Sequence, residues 1–445
     1  MNTEIHQDSI APKDVQSVLA RHLLVDGFDF VMDIEKSHGS YIHDSLSGED
    51  YLDMFSMFAS ASIGYNHPYL LENVGWLGKM AVNKPTLADV YSVEYAEFME
   101  VFERVVVPKE LQYAFFVSGG TLAVENAMKA AFDWKTRLNM EKGHDLEADI
   151  CIHFRQAFHG RSGYTLSLTN TSDPRKYEYF PKFNWPRILN PHLNFPITEE
   201  NLQETIKNEE LAILNIEEAI LASPNRVACI IIEPIQAEGG DHHFRDEFFQ
   251  ALRRICDEHE ILLIFDEVQT GIGMTGKMWA FEHFSIRPDL IAFGKKTQVC
   301  GVLANKEKMD RIANNVFRES SRINSTFGGN FIDMMRLKLI LEVIEKENLV
   351  ENSRVVGESL LKGLQELAKK YPEVVSNPRG RGLMCAIDLK DPQTRDRFRG
   401  RLYEEKVILL ACGEQSLRFR PHLTVSKEEI QKALDKMDQI LAAGF

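Results

Sequence analysis

Three short apolar runs between residues 227 and 293 each end in a charged or glycine-led group. Residues 227–232 read VACIII and end in Glu233-Pro234, and residues 261–265 read ILLIF and end in Asp266-Glu267. Residues 290–293 read LIAF and end in Gly294-Lys295-Lys296. Between the first two runs, Phe244, Phe248, Leu252 and Ile255 recur at helical spacing. An apolar strand, a crossover helix and a second apolar strand predict a parallel βαβ unit covered on both faces.

The same alternation extends outward. Residues 113–117 form another apolar run, followed by Ser118-Gly119-Gly120-Thr121 and then by a helical pattern on Leu122, Val124, Ala127, Met128 and Ala131. Strand, glycine turn and helix start can cradle a phosphate, because free N–H groups and a positive dipole end face the turn. A tight turn alone would read the same way. Neither the GxGxxG nor the GK[ST] spacing is present, so a single phosphate is the more natural ligand than a dinucleotide. A short strand at 151–154 precedes Phe158-His159-Gly160-Arg161. Phe158 could lie against a flat cofactor and Arg161 could fork onto a carboxylate. A core Phe and a surface Arg fit this segment equally.

Residues before about Val18 read as a loose arm. Residues 28–53 alternate short extended segments with turns and predict a β-meander. Gly64 to Pro68 is a turn cluster in which His67 reads as structural. Residues 170–225 read as an irregular excursion with one helix near 199–222. Helical patterns at 334–349 and 351–370 follow, then strands at 380–389 and 407–421 with a charged helix between them. Ser426 to Glu429 is a capping box that opens the last helix. This last part predicts a separate α/β lobe.

Ligands in open parallel sheets bind at the carboxyl ends of strands, where Asp266 and Lys295 both fall. A lysine there can hold an aldehyde as a Schiff base, and an acid can keep a pyridine nitrogen protonated. That pairing is what a pyridoxal phosphate enzyme needs. Taken alone, the two residues also fit a loop cap and a solvated charge.

The 445 residues are too many for one ordinary small core, so two domains are expected. A net charge of -15 argues against non-specific nucleic-acid binding and against docking on anionic membranes. The polar amino terminus has no signal pattern, and no apolar run approaches the roughly 20 residues of a membrane span. The six cysteines are scattered without zinc spacing, which points to a reducing, cytoplasmic setting.

Taken together, Leu263-Ile264-Phe265-Asp266-Glu267-Val268-Gln269-Thr270-Gly271, Pro288-Asp289 and Gly294-Lys295 resemble the class III (ω-) aminotransferases. So do the upstream EPIQAEGG and the downstream STFGGN, and the likeness runs from about Gly39 to the end. It implies an α/β chain of PLP fold type I: a large domain with a mostly parallel seven-stranded sheet flanked by helices, and a smaller α/β domain formed by both termini. The implied division is 1–74, 75–332 for the large cofactor domain, and 333–445. The implied cofactor is pyridoxal 5'-phosphate. Lys295 would carry it and move the proton, Asp266 would pair with the ring nitrogen, and Val268 and Phe158 would pack on the two ring faces. Gln269 would bond the ring hydroxyl. Gly120 and Thr121 would hold the phosphate from one subunit and Thr326 from the other, implying a homodimer with shared sites. The family usually has Ser-Gly-Thr where this chain has Gly119-Gly120-Thr121.

Residues 293–301, 158–164 and 417–421 resemble the branch of the family that moves the terminal amine of L-lysine to 2-oxoglutarate, yielding L-glutamate. The resemblance implies that Arg418 binds the α-carboxylate of glutamate and that Glu238 pairs with Arg418 when none is present. Arg161 would bind the distal carboxylate, and Asn324 would complete the substrate site. Ornithine and 4-aminobutyrate aminotransferases and aminomutases stay open at this point, as does a catalytically silent PLP-fold protein. A dinucleotide-dependent dehydrogenase fails for want of a glycine fingerprint.

Overall fold

The computed structural model describes residues 10–444. Its centre is a seven-stranded sheet in the spatial order Tyr113–Val117, Cys300–Ala304, Leu290–Phe293, Leu262–Asp266, Val227–Ile232, Ile150–Phe154, Arg187–Ile188. Cys300–Ala304 runs antiparallel to both its neighbours and the other pairings are parallel. The predicted βαβ unit is Val227–Ile232, helix Asp246–Glu258 and Leu262–Asp266, in register from Cys229 opposite Leu262 to Ile232 opposite Phe265.

Alternate strand residues serve two cores, which is why these runs are apolar throughout. Ile230, Ile232, Leu263, Phe265, Ile291 and Phe293 face one core, together with Phe248, Leu252 and Ile255 of the crossover helix. Cys229, Ile231, Leu262, Ile264, Leu290 and Ala292 face the other, together with Ala123, Ala127, Met128 and Trp134 of helix Gly120–Glu141.

Met32–His38, Tyr41–Asp44 and Asp50–Asp53 form the expected antiparallel meander, and Val407–Ile408 joins it in parallel from the far end of the chain. A third sheet holds Val375–Arg381, Met384–Leu389, Ser416–Phe419 and Leu410–Cys412. Ser426 and Glu429 make the reciprocal capping box, and helix Lys427–Ala443 follows.

Several expectations change. The single strand at 380–389 is a hairpin that turns at Gly382, whose φ of +55° and close approach to the Thr275 carbonyl carbon exclude a side chain. The stretch 407–421 is three short strands. The irregular excursion contains helix Glu199–Ala222 as expected, but also the two-residue edge strand Arg187–Ile188. The part of the arm from Pro12 to Leu19 is a 3-10 turn and a short helix, and the segment before residue 10 lies outside the described residues. His67 is structural: its ring accepts the Tyr69 N–H and reaches Glu347. Among the described residues, no helix is long and apolar enough to cross a membrane.

Candidate active site

Five strands that run in one direction deliver their carboxyl ends to one place: Ser118 to Gly120, Phe158, Glu233, Asp266 and Lys295 all follow or close those strands. Close packing joins them. A Cβ built on Gly120 would lie 3.0 Å from Val268 Cγ1, and one on Gly294 would lie 3.2 Å from the same atom. A Cβ on Gly160 would lie 2.3 Å from Thr121 Oγ1. Gly120, Gly160, Gly294, Thr121 and Val268 therefore form a wall in which glycine lets a neighbouring side chain lie against the backbone.

Asp266 is buried with both oxygens engaged. Oδ1 accepts the Val268 N–H at 3.1 Å, and Oδ2 lies 2.7 Å from His159 Nδ1. Burial disfavours a charge on His159, but the bond to Asp266 outweighs it and raises the imidazole pKa. His159 Nε2 is buried without a partner among the described residues. Glu233 stands behind this pair. It accepts the Phe158 N–H at 2.9 Å and the Ala237 N–H at 3.1 Å, and burial pushes its carboxyl up to about 7 against the pull of His159.

Lys295 has a left-handed backbone with φ of 55°, a conformation most side chains avoid outside functional sites. Burial, then the charges of Arg418 and Arg420, bring its amine down to about 8, while Glu238 and Asp266 oppose them. The neighbouring Lys296 is already committed. Its buried amine donates to the Gln269 carbonyl at 2.8 Å, and burial with the Lys295 charge beside it holds its pKa well below the ordinary lysine value.

Arg418 is 4% exposed and donates through Nη2 to Glu238 Oε2 at 2.8 Å. Its Nε and Nη1 are buried without hydrogen-bond partners among the described residues. The other oxygen of Glu238 accepts from Lys176 Nζ at 2.6 Å. Burial raises the Glu238 pKa, but Arg418 and Lys176 outweigh it and hold the carboxyl below its usual range. Arg420 pairs with the buried Asp241 and donates to Gln269 Oε1 at 2.9 Å. The Gln269 amide oxygen is thus occupied, and its NH2 group is what remains for a ligand.

The structure places Asp266, Val268, Gly120, Thr121, Phe158, Lys295, Glu238 and Arg418 around one region. Arg161, Asn324 and Thr326 are exposed on this chain. His159, Glu233 and Lys176 were not assigned roles from sequence. A signal existed for Glu233, which closes a buried strand as Asp266 does, while His159 and Lys176 carried no pattern.

The family profile described as "Aminotransferase class-III" matches residues 25–441. The L-lysine-epsilon aminotransferase of Mycobacterium tuberculosis is 50% identical over 428 residues, covering 95% of this chain and 94% of that protein. The 4-aminobutyrate aminotransferase of Dictyostelium discoideum is 33% identical over 434 residues, covering 93% and 85%. The solved lysine aminotransferase of Mycobacterium tuberculosis, in its internal aldimine form, superposes with a TM-score of 0.95 at 49% identity, covering 98% of this chain and all of that one. With the match spanning nearly its full length and the site built at the strand ends, this chain belongs to the class III aminotransferase family of pyridoxal phosphate enzymes.

Proposed function

We propose that the protein transfers the ε-amine of L-lysine to 2-oxoglutarate, giving L-glutamate and 2-aminoadipate 6-semialdehyde, which cyclises to 1-piperideine-6-carboxylate. The observation that carries this reading is the buried Glu238–Arg418 pair beside Lys295. One site must take glutamate by its α-amine and lysine by its far amine. With glutamate, a carboxylate adjoins the reacting carbon and Arg418 receives it. With lysine, an alkyl chain passes that place, and Glu238 keeps Arg418 from standing buried and unpaired, which would cost about 3–5 kcal/mol. The relatives at about 50% identity that carry the name L-lysine-epsilon aminotransferase support the same choice.

The residues present fit pyridoxal 5'-phosphate. The acid, the lysine with lowered pKa and the glycine-started helix lie in one wall, and the Gly120–Val268 and Gly160–Thr121 contacts leave a cradle that side chains would fill. When bound, the cofactor supplies an electron sink for the carbon that carries the amine. Asp266 offers its charge to the ring nitrogen, and His159 holds that carboxylate in place. Phe158 and Val268 would pack on the ring, and the NH2 of Gln269 would bond its hydroxyl. Gly120 and Thr121 would hold the phosphate. Lys295 would be the base that takes the proton from the carbon bearing the amine and returns it on the far side of the nitrogen. Arg161 binds the distal carboxylate of either substrate, a role supported by its place next to Gly160.

We also propose a homodimer in which Thr326 and Asn324 serve the partner's site. Their exposure supports this, as do the exposed Val82, Val90, Tyr91 and Val93. Domain boundaries near 74 and 332 are supported by the sheets: the seven-stranded sheet lies wholly between them, and Val407–Ile408 returns to the amino-terminal meander. A cytoplasmic location is supported by six free, buried cysteines.

The test uses lysine carrying heavy nitrogen only at the ε position, incubated with the protein, pyridoxal phosphate and 2-oxoglutarate. Mass spectrometry is expected to show labelled glutamate. Unlabelled or absent glutamate overturns the lysine assignment and leaves ornithine and 4-aminobutyrate to be tried. In single-turnover measurements, Glu238→Ala is expected to slow the lysine half-reaction about tenfold or more relative to the glutamate half-reaction. Equal slowing of both would remove the gate.

A further inference from the structure

The carboxylate of Glu238 has two cations, not one. Arg418 holds Oε2 at 2.8 Å and Lys176 holds Oε1 at 2.6 Å, with the Lys176 and Glu238 side chains only 19% and 22% exposed. The backbone brings them together deliberately. Gly413 N–H donates to the Glu238 carbonyl at 2.9 Å, and Ser172 Oγ donates to the Gly413 carbonyl at 2.9 Å. Gly413 itself has φ of +54°, and a Cβ there would lie 2.8 Å from the Gly239 carbonyl oxygen, so the approach depends on glycine. Lys176 closes the short 3-10 turn Pro174–Lys176, whose Asp173 side chain accepts the Arg175 N–H. On this side of Glu238 a cavity of about 680 Å³ opens, lined by Asp173, Arg175, Lys176, Arg395 and Glu414.

A gate made only of Glu238 and Arg418 has a difficulty. When a substrate carboxylate takes Arg418, Glu238 must leave its partner while still in a partly buried place, and an unpaired buried charge is costly. Lys176 removes that difficulty, because its bond is to the other oxygen and survives the loss of Arg418. Its four-carbon stem is flexible enough to follow the carboxylate toward the cavity.

We propose that Lys176 is a positioning residue of the gate: it retains Glu238 when Glu238 leaves Arg418, and so sets how readily the site accepts a dicarboxylate. This rests on the gate reading given above. Its consequence is asymmetric. Lys176 supports both positions of Glu238, and it is the cation already bonded to the oxygen that Arg418 does not hold. Removing it therefore penalises the glutamate side of the reaction and spares the lysine side.

The test compares Lys176→Met, Lys176→Arg and Glu238→Ala with the parent holoenzyme. Calorimetry measures the binding of glutarate, a dicarboxylate with no reacting group, and single-turnover kinetics measures each half-reaction. Lys176→Met is expected to weaken glutarate and to slow the glutamate half-reaction by about tenfold or more, the usual worth of a charged hydrogen bond. The lysine half-reaction should stay within about threefold, and Lys176→Arg should restore glutarate binding because it restores the charge. If Glu238→Ala shifts the balance of half-reactions but Lys176→Met slows both equally or neither, the Lys176 role is overturned and the gate stands. If Glu238→Ala slows both equally, the gate falls and the role of Lys176 falls with it.

Discussion

Replacing Lys295 by alanine is expected to lower turnover by about 10⁴-fold or more, because one residue supplies both the covalent anchor and the proton transfer. Burial lowers the pKa of its neighbour Lys296 as well, so it is geometry that separates the two. Lys296 spends an N–H on the Gln269 carbonyl, deep in the protein. Lys295 instead stands among Arg418, Arg420, Glu238 and Asp266, and burial with the two arginines brings its amine down to about 8. At pH 7.5 about a quarter of such an amine is neutral, against about a thousandth for an ordinary lysine. Only the neutral amine attacks an aldehyde, so covalent capture of pyridoxal phosphate by cofactor-free protein should rise with pH and level off above about 8. An ordinary lysine would keep accelerating past pH 10. Borohydride reduction followed by fragment mass mapping should place the adduct on Lys295 and lose it in Lys295→Ala. An adduct on Lys296 in the parent protein would sink the assignment.

The reach of the sequence follows from what kind of regularity each feature has. The central strands were legible because a parallel strand covered on both faces must be apolar along its buried length, and VACIII, LLIF and LIAF are. Asp266 and Lys295 were legible because strand ends are where such sheets place chemistry. Arg187–Ile188 was not, since two residues, one exposed and one buried, carry no periodicity. Val375–Arg381 was hidden by its composition: SNPRG reads as a loop, and only pairing with Met384–Leu389 makes it a strand. The missed functional neighbours share one cause. Glu233 meets Phe158 across 75 residues, Lys176 meets Glu238 across 62, and His159 meets Asp266 across 107. A single charged side chain has no pattern of its own, and its partner is chosen by the fold. Gln269 shows the converse. Its position in the motif was legible, while the loss of its amide oxygen to Arg420 depends on a strand some 150 residues later.

Replacing Asp266 by asparagine is expected to cost about 10²–10⁴-fold in turnover. The carboxylate is 5% exposed, and its two oxygens accept from Val268 N–H and face His159 Nδ1. Asparagine keeps that shape but brings no charge for a protonated ring nitrogen. Breaking a buried ion pair from one side costs about 3–5 kcal/mol, and each 1.36 kcal/mol is tenfold in rate. The fold should tolerate the change, because an amide oxygen can still accept from Val268 while the amide nitrogen turns to His159. The raised imidazole pKa depends on the Asp266 charge, so it should fall in Asp266→Asn, and a His159 ring resonance titrated by NMR would report it. His159→Asn should be milder, since it leaves the charge and disturbs only its aim. The ordering Asp266→Asn far below His159→Asn, with thermal stability of both near the parent, is the outcome that fits a charge aimed at a ring nitrogen. Turnover of Asp266→Asn within tenfold of the parent would show that this carboxylate braces the wall of the site and does no more.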